Sequence, residues 1–495
     1  MLAGKSVIAA ARMALAAGRV AEAEASCLEL LRDDPENPEV LHLHGLARIQ
    51  AGRVAEGAQL LERAVAAAPG YAAAHGDLGA VLVLLGRPEA AVQRLRIALR
   101  LDPQNREIQL NLGNALQAQG ELDSAEEYYR AVLRLDPRNV RANLSLGNLL
   151  SQVRRPGDAI EYLSVAAALA PGAGAVHQSL GKAQCGLGRT DEAIESFQRA
   201  IAIEAGLTEA NESLGLIFKG QNRLEEALTC FSAANTQYAR AQALECLLRL
   251  NRYREFFAAI ERHPAGEAVN LHAAALSAYA SQQLGRSDPH PFCPDPLAHI
   301  RIVDRYTGAG AEAEFLLDLI RVAGQLNAVW EPRGVSTTGG YQTGGNLFEN
   351  ASGPLGRLAH DLVEELNRYR STMLANGDQA GTTLCRRWPG TARLHGWYVR
   401  LLTGGHQRFH NHPSGWLSGC VYLQVPKSVP RDEGAIEFGL VGSDYPDLSG
   451  PPPPTRLHNP KPGQIVMFPS SLFHRTIAFQ SAEERLCICF DLLPA

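Results

Sequence analysis

A repeat of 34 residues constrains this chain more than any other feature of its sequence. Glycine recurs once in each period, at Gly45, Gly79, Gly113, Gly147, Gly181 and Gly215. Proline and alanine keep the same period at positions of their own: Pro35, Pro69, Pro103, Pro137 and Pro171, and Ala91, Ala125, Ala159, Ala193 and Ala227. Three residue types with one shared period indicate a structural unit in tandem, and this length is typical of paired α-helices.

Each of these residues has a physical reason to recur. A glycine midway along the first helix of a pair lets the second helix approach closely, which outweighs a helix-propensity cost of about 1 kcal/mol. The alanine allows the same approach from the second helix. Proline cannot continue a helix but suits the first turn of the next one. The pattern resembles tetratricopeptide repeats, and this resemblance implies an all-α solenoid.

The glycine period also predicts where each unit begins and ends. With the glycine as the eighth residue, residues 1–241 hold seven repeats: 4–37, 38–71, 72–105, 106–139, 140–173, 174–207 and 208–241. Ala11 takes the glycine position of the first repeat. Residues 242–286 keep helical periodicity but match the repeat poorly, and they include a final helix predicted over 271–285. We interpret them as a degenerate capping repeat that covers the apolar end of the solenoid.

A solenoid of this kind presents a concave groove, usually to a peptide or a protein. Short polar side chains fall on the first helices of several repeats: Asn111, Asn114, Asn148, Ser145, Ser179 and Ser213. They could bond the backbone of an extended chain in the groove, or they could be solvated polar residues of a helix face. Both interpretations stay open, and the sequence does not indicate an oligomeric state.

Charge and composition exclude other classes of partner. The chain has 47 basic and 52 acidic residues, a net charge of −5, and no long basic run, so nucleic acid and anionic membranes are not expected partners. No apolar run is long enough to span a membrane, and Arg12 and Arg19 interrupt the only stretch that resembles an export signal. Nine cysteines without metal-site spacing fit reduced thiols and a cytoplasmic location.

The texture of the sequence changes after residue 286. A proline-rich stretch predicts a linker over 287–300, followed by a second domain over 301–495. Two helices are predicted there, at 311–327 and 353–375. Short apolar runs separated by glycine and proline then predict strands, which together are typical of a sandwich, jelly roll or barrel: 397–402, 417–425, 435–441, 464–468 and 486–493. Residues 442–463 are interpreted as a connection between two strands.

Histidines in this domain suggest a metal site. His410 and His412 are two residues apart, so a strand would place both on one side, and His474 follows the strand at 464–468. Arg485 opens the last strand, where its guanidinium could hold a carboxylate. Three other histidines are interpreted as ordinary polar residues: His395, His406 and His458. Of these, His406 is a candidate for a group that supports the metal ligands. Cys487 and Cys489 are interpreted as small core residues, with a metal or redox role as the alternative.

These motifs resemble those of the iron(II)- and 2-oxoglutarate-dependent oxygenases, in particular those found behind tetratricopeptide arrays in bacteria. The matching segments are 410–413, 418–426, 461–474 and Arg485, with GGYQTGGNLF at 339–348, so the likeness covers about residues 330–495. The resemblance implies a double-stranded β-helix, of jelly-roll or cupin-like form, with flanking helices, and hence an α+β multidomain chain. It also implies bound iron(II), and 2-oxoglutarate held by Arg485 with Tyr422 and Ser418 nearby.

One departure from the family pattern concerns the metal ligands. Most of these oxygenases have aspartate two residues after the first histidine, where this chain has His412. Three histidines could hold the metal, which is the preferred interpretation, or Glu437 could supply the carboxylate, or only His410 and His474 could bind.

The function expected from these features is hydroxylation of a peptide or protein side chain recruited by the repeats. Tethering the target in this way would raise its effective concentration near the metal. One alternative is a scaffold whose barrel binds without turnover. Another is a three-histidine dioxygenase that does not use 2-oxoglutarate.

Overall fold

The computed structural model describes residues 2–262, 270–290, 292–293, 295–332, 335–375, 383–427, 430, 432–442, 445–448, 450 and 452–494. The chain divides into two compact units, Met1–Ile217 and Phe218–Ala495. None of the helices in the described ranges combines the length and the apolar character needed to cross a bilayer.

The first unit is a succession of helix pairs in which each helix packs on the next. This arrangement confirms the predicted all-α solenoid. Its helices are α1 Leu2–Ala16, α2 Val20–Asp33, α3 Pro38–Gln50, α4 Val54–Ala67, α5 Ala72–Leu84, α6 Pro88–Leu101, α7 Arg106–Gln119, α8 Leu122–Leu135, α9 Val140–Gln152, α10 Pro156–Leu169, α11 Gly174–Gly186, α12 Thr190–Ile203 and α13 Thr208–Gly220, whose last residues belong to the second unit.

Close packing explains the glycine period. A Cβ atom on Gly113 would lie 2.6 Å from Cε1 of Tyr129, and one on Gly147 would lie 2.5 Å from Cγ of Leu163. Tyr129 and Leu163 are fully buried on the second helices of their pairs, so neither ring nor methyl groups can move aside easily. Glycine at these positions therefore sets the distance between paired helices.

A further period of 34 residues lies in polar side chains that differ in type. In five repeats a side-chain nitrogen bonds the main-chain carbonyl six residues earlier, at the turn that enters the repeat. The pairs are His75–Pro69 at 3.1 Å, Gln109–Pro103 at 3.0 Å, Asn143–Pro137 at 3.0 Å, His177–Pro171 at 3.1 Å and Asn211–Ala205 at 3.2 Å. We call these five residues the carbonyl-binding register. They satisfy turn carbonyls that would otherwise lack partners.

The polar residues predicted to line the groove differ in their availability. Asn114 accepts hydrogen bonds from Tyr129 at 2.7 Å and from Ser145 at 3.2 Å, so Asn114 and Ser145 serve the interior of the array. Asn148 is exposed. The other three are partly buried: Asn111, Ser179 and Ser213.

The second unit begins with helices that extend the helical pattern. They are α14 Leu224–Ala234, α15 Gln237–Arg249, α16 Tyr253–Arg262 and α17 Leu271–Gln283. Helix α15 begins five residues before the predicted start of the capping repeat at 242. The reason is local: Asn235 adopts a left-handed φ of 51°, which ends α14, and Thr236 caps α15 by accepting a hydrogen bond from the amide of Ala239 at 3.0 Å.

The rest of the second unit is a curled antiparallel sheet with flanking helices, which confirms the predicted jelly-roll-like domain. The helices are α18 Ala311–Ala323, α19 Gly353–Ala375 and α20 Thr383–Arg386. The strands are β1 Arg301–Asp304, β2 Ala328–Trp330, β3 Thr337–Thr343, β4 Ala392–His410, β5 Leu417–Gln424, β6 Ile436–Gly439, β7 Thr455–His458, β8 Gln464–Pro469, β9 Phe473–Thr476 and β10 Arg485–Pro494. Their order is β1-β8-β5-β10-β4-β9-β6-β7, and the β2–β3 hairpin joins β4.

Several strands differ from the expectations. Strand β7 lies inside the segment 442–463, which was interpreted as a connection between two strands. Its four residues, TRLH, are partly or fully exposed. Only one of them is apolar, so the sequence has no apolar run there that would predict a strand. Strands β1, β2, β3 and β9 were also not predicted, because they are short or rich in polar residues and glycine.

Strand β10 is buried on both faces, and its alternation sorts the residues of the site. Ile488 and Phe490 pack in the cluster that includes the flanking helices α18 and α19. Cys487 and Cys489 lie on the opposite face, in the cluster inside the curled sheet. Arg485 and Asp491 share the parity of these cysteines, so both belong to the interior face.

Candidate metal centre

Three histidines converge at one end of the curled sheet. His410 ends β4 and is the cross-strand neighbour of His474 on β9. His412 follows in the next turn, where its amide donates to the carbonyl of Ser470 at 3.1 Å. One ligand atom from each ring lies within 4.8 Å of the others, and no comparable group of metal-ligating side chains occurs elsewhere in the described ranges.

The three rings use the same nitrogen for hydrogen bonding, because each has an oxygen acceptor at Nδ1. The partners are Arg408 O for His410 at 2.7 Å, Leu472 O for His474 at 3.4 Å and Asp491 Oδ1 for His412 at 2.6 Å. An imidazole that donates from Nδ1 presents Nε2 as its ligand atom. The contacts therefore leave Nε2 as the ligand atom of each ring.

Burial keeps two of these rings neutral. It lowers the pKa of His410 to about 3, with a further lowering by nearby His412. Burial also lowers the pKa of His474 well below its usual value, assisted by the other two histidines. Only a neutral imidazole can ligate a metal, so the protonation states at neutral pH suit a metal centre.

Glu437, the alternative source of a carboxylate, lies outside this group. Its carboxylate accepts from Nε of Arg475 at 2.7 Å. On the paired strands β6 and β9, Glu437 opposes Arg475 and Phe438 opposes His474. Glu437 therefore points to the face opposite the histidines.

A different carboxylate, that of Asp491, lies beside the histidines. Besides its contact with His412, Asp491 Oδ1 accepts from the Ser418 hydroxyl at 2.6 Å, and Ser418 Oγ lies 2.7 Å from Ser470 Oγ. Ser418 was expected near the cosubstrate, and this stays a prediction; its hydroxyl contacts Asp491 and Ser470 beside the histidines. Asp491 was not singled out from the sequence, although an acidic residue within the apolar run LCICFDLL was a usable signal.

Arg485 is a cation buried in the β domain. It is 1% exposed, its Nε donates to Gly434 O at 3.2 Å, and its guanidinium lies 4.9 Å from the ring centroid of Tyr422. No carboxylate of the described chain forms an ion pair with it. Among the described residues the buried Tyr422 hydroxyl has no hydrogen-bond partner, and burial raises its pKa well above the usual range, so it can donate.

Three cysteines separate Arg485 from the metal end of the interior face. Cys420 Sγ lies 3.3 Å from Cys489 Sγ, and Cys487 Sγ lies 3.6 Å from Nη1 of Arg485. All three are buried in the apolar cluster inside the sheet, in keeping with their interpretation as core residues.

Three further polar residues lie near the site. The Ser336 hydroxyl, which the sequence did not single out, is 3.2 Å from His410 Nε2. His406 bonds the carbonyl of Gly404 at 3.2 Å, and His395 contacts the Trp397 ring. Neither His406 nor His395 belongs to the group of three histidines.

Comparison with known families agrees with this architecture. The family described as "Putative 2OG-Fe(II) oxygenase" matches residues 395–491, a range that contains the three histidines, Arg485 and Asp491. Families described as "Tetratricopeptide repeat" match residues 48–110, 110–174 and 176–210. The chain therefore carries tetratricopeptide repeats followed by a C-terminal domain of this oxygenase family, as its motifs predicted.

Several solved structures are similar to part of the chain. A tetratricopeptide repeat protein from Parabacteroides merdae is 16% identical, with 49% of this chain and 98% of that chain covered and a TM-score of 0.42. PilW, a type IV pilus biogenesis factor, is 20% identical, with 43% and 99% covered and a TM-score of 0.40. A chain of the APC/C assembly Cut9–Hcn1 is 17% identical, with a TM-score of 0.41, and the match covers 46% of this chain and about half, 48%, of that one. No curated protein sequence matches the chain.

Proposed function

We propose that this protein is an iron(II)- and 2-oxoglutarate-dependent oxygenase that hydroxylates a side chain of a peptide or protein recruited by its repeats. One observation carries the proposal. Three convergent imidazoles lie in the same β domain as a buried guanidinium that no carboxylate of the described chain neutralises. The first arrangement fits a metal, and the second fits an anionic cosubstrate.

The histidines fit iron(II). Imidazole is a ligand type that suits iron, and the Nδ1 contacts already hold the rings in the ligating orientation. His410, His412 and His474 would therefore bind the metal. When bound, iron supplies the redox chemistry that couples decarboxylation of 2-oxoglutarate to hydroxylation of a C–H bond.

Arg485 and Tyr422 fit a carboxylate of the cosubstrate. A guanidinium binds a carboxylate through charge-assisted hydrogen bonds, which are strong in a buried setting. The Tyr422 hydroxyl would donate a further bond that it lacks within the described chain. A carboxylate placed there would satisfy both groups at once, and this explains why an arginine without an ionic partner is tolerated in the interior.

The repeats support a macromolecular substrate, because arrays of this kind mediate protein–protein interactions. A groove that holds an extended chain would keep one of its side chains at high effective concentration near the metal. Asn148 is exposed and free to contribute contacts. The cytoplasmic location expected from the cysteines stays a prediction.

The chemistry is tested on the purified full-length chain. Iron(II) and 2-oxoglutarate added without oxygen should give the weak visible charge-transfer band of a chelated metal, and admission of air should give succinate. The double variant His410→Ala/His474→Ala should give neither, whereas Glu437→Gln should retain both. Absence of the band and of succinate in the wild type would sink the proposal.

The substrate class is tested with the same double variant, which should retain the groove but not the oxygenase site. Proteins captured by the full-length double variant would be compared by mass spectrometry in cells with and without the active protein. Gain of one oxygen atom on a captured protein is expected only with the active form. Capture without any gain of oxygen would favour the scaffold, and oxygen uptake without 2-oxoglutarate would favour the three-histidine dioxygenase.

A further inference from the structure

A carboxylate is present at the metal end of the site, although not where the family pattern has one. The position two residues after His410 is histidine, but Asp491 Oδ1 lies 2.6 Å from Nδ1 of that histidine, His412. Because Nδ1 faces Asp491, Nε2 of His412 is left for the metal. The carboxylate thus stands one imidazole ring away from the ligand position.

In the described surroundings of Asp491, His412 is the side chain that its negative charge affects most. The residue is 8% exposed, and its other polar contact is the hydroxyl of Ser418 at 2.6 Å. Within the described ranges, no lysine or arginine forms an ion pair with it, and the only cationic partner it could have is His412. A buried carboxylate whose one possible cationic partner is an imidazole polarises that ring.

The backbone fixes each partner of this carboxylate. Ser418 is the cross-strand neighbour of Asp491 in the β5–β10 pair. His412 is held by its amide bond to Ser470 O, and the Ser470 hydroxyl lies 2.7 Å from that of Ser418. Gly415 closes the turn so tightly that an added Cβ would lie 2.7 Å from Ser470 Oγ and 3.2 Å from Cγ of Asp491.

We propose that Asp491 is a positioning residue that delivers to the metal, through His412, the negative charge that an aspartate ligand delivers directly in the related oxygenases. The inference rests on the proposed function, since it requires a metal on the three histidines. A ring that donates its Nδ1 hydrogen to a carboxylate is a stronger electron donor at Nε2. Asp491, at the Nδ1 side of the ring, thereby replaces the negative charge that is lost where the motif has histidine instead of aspartate.

Cobalt(II) alone, titrated into the full-length protein and followed by its visible absorption, tests this inference without cosubstrate or turnover. The variant Asp491→Asn keeps the shape and the contact with Ser418 but removes the charge, and it should bind cobalt(II) about 10- to 100-fold more weakly. Glu437→Gln removes a nearby carboxylate that faces away and should leave the affinity unchanged. Ser470→Ala, one hydroxyl further from the ring, should weaken binding by only about 2- to 3-fold.

A compensating variant separates the charge from simple disruption of structure. In His412→Asp the new carboxylate faces Asp491, and the two like charges repel and so retain a proton that competes with the metal, which should lower cobalt(II) binding. Adding Asp491→Asn to it removes the repulsion and restores the family pattern, so the double variant should bind more tightly than either single variant. A merely structural role for Asp491 predicts no such recovery, and melting temperatures identify misfolded variants.

The outcomes are distinct for the two proposals. Equal cobalt(II) affinity of the wild type and Asp491→Asn, or no recovery in the double variant, overturns the role of Asp491 while the oxygenase proposal stands. A loss on Asp491→Asn with recovery in the double variant, in a protein that never gives the iron(II) and 2-oxoglutarate band, supports Asp491 and overturns the oxygenase. A wild type that binds no divalent metal overturns both.

Discussion

The helical repeats and the β domain both bury polar side chains, but in different states. In the repeats, Asn143 donates both amide hydrogens to main-chain carbonyls, those of Pro137 and Asn139. In the β domain, Arg485 meets no carboxylate of the described chain, and the Tyr422 hydroxyl has no partner there. A satisfied polar group supports a fold, whereas an unsatisfied one costs stability until a ligand arrives.

The contrast persists where the repeats also contain buried atoms without a partner. In the first unit these atoms are Nδ1 of His44, Nδ1 of His75 and Oε1 of Gln109. Each of these side chains has another nitrogen in a hydrogen bond. The polar groups of these repeat side chains are therefore partly satisfied, whereas the interior of the β domain holds the groups that the proposed cosubstrate would satisfy.

The largest effect is expected when metal ligands are removed. In His410→Ala/His474→Ala, iron(II) binding and succinate formation should be lost completely, since His412 alone remains of the three proposed ligands. Iron(II) at about 100 times its Kd should stabilise the wild type by about 2.7 kcal/mol and the variant not at all, measured as the shift in melting temperature. A shift of equal size in the variant would show that the metal binds elsewhere.

Arg485→Met should separate stability from binding. Loss of the cation should weaken 2-oxoglutarate binding by about 100-fold or more, measured by titration of the charge-transfer band. Because the variant no longer buries a charge without an ionic partner, the free energy of unfolding of the ligand-free protein should rise by about 1 to 3 kcal/mol. Arg485→Lys, which keeps the charge, should show no such gain. A destabilised Arg485→Met protein would mean that the guanidinium is a structural group.

In the repeats, the largest effect should come from the glycine period. Gly113→Ala places a Cβ 2.6 Å from the buried Tyr129 ring and should lower the free energy of unfolding by about 2 to 3 kcal/mol. Gly157, also in a helix, has nothing within 4 Å of its added Cβ. Gly157→Ala is the matched control and should be neutral or slightly stabilising. Equal melting temperatures for the two variants would contradict the packing argument.

A smaller effect is expected in the carbonyl-binding register. Asn143→Leu removes the side-chain donor from the Pro137 carbonyl, while the Asn139 carbonyl keeps the main-chain amide of residue 143, and should cost about 1 to 2 kcal/mol of unfolding free energy in urea denaturation. Asn143→His, which copies His75 and His177, should lose less than half as much. Asn148→Ala, at an exposed site, serves as the control. Similar losses for leucine and histidine would mean that volume, not hydrogen bonding, matters at this position.

Much of this architecture could be predicted from the sequence, because identical residues marked it. Glycine, proline and alanine at one period predict the helix pairs. The spacing of His410, His412 and His474 was enough to predict which side chains meet in the β domain, and the motifs around them resembled those of its family. In each case a single residue type at a fixed position carries the signal.

Other features were hidden because no single residue type marks them. The carbonyl-binding register uses histidine, glutamine and asparagine, so a search for identical residues misses it. The role of Asp491 depends on the β5–β10 register, which places it opposite Ser418. The register of a strand cannot be predicted from a short apolar run. Strand β7 has too few buried residues to show a pattern.

The mixed chemistry of the carbonyl-binding register has an evolutionary consequence. An imidazole and an amide each present one N–H to the same carbonyl, so a substitution among histidine, glutamine and asparagine passes through no intermediate with an unpaired turn. Repeats can then diverge at this position by neutral drift while they keep a common backbone. Whole units could be duplicated or lost without a matching change in their neighbours, which would let the length of the array follow the partner it serves.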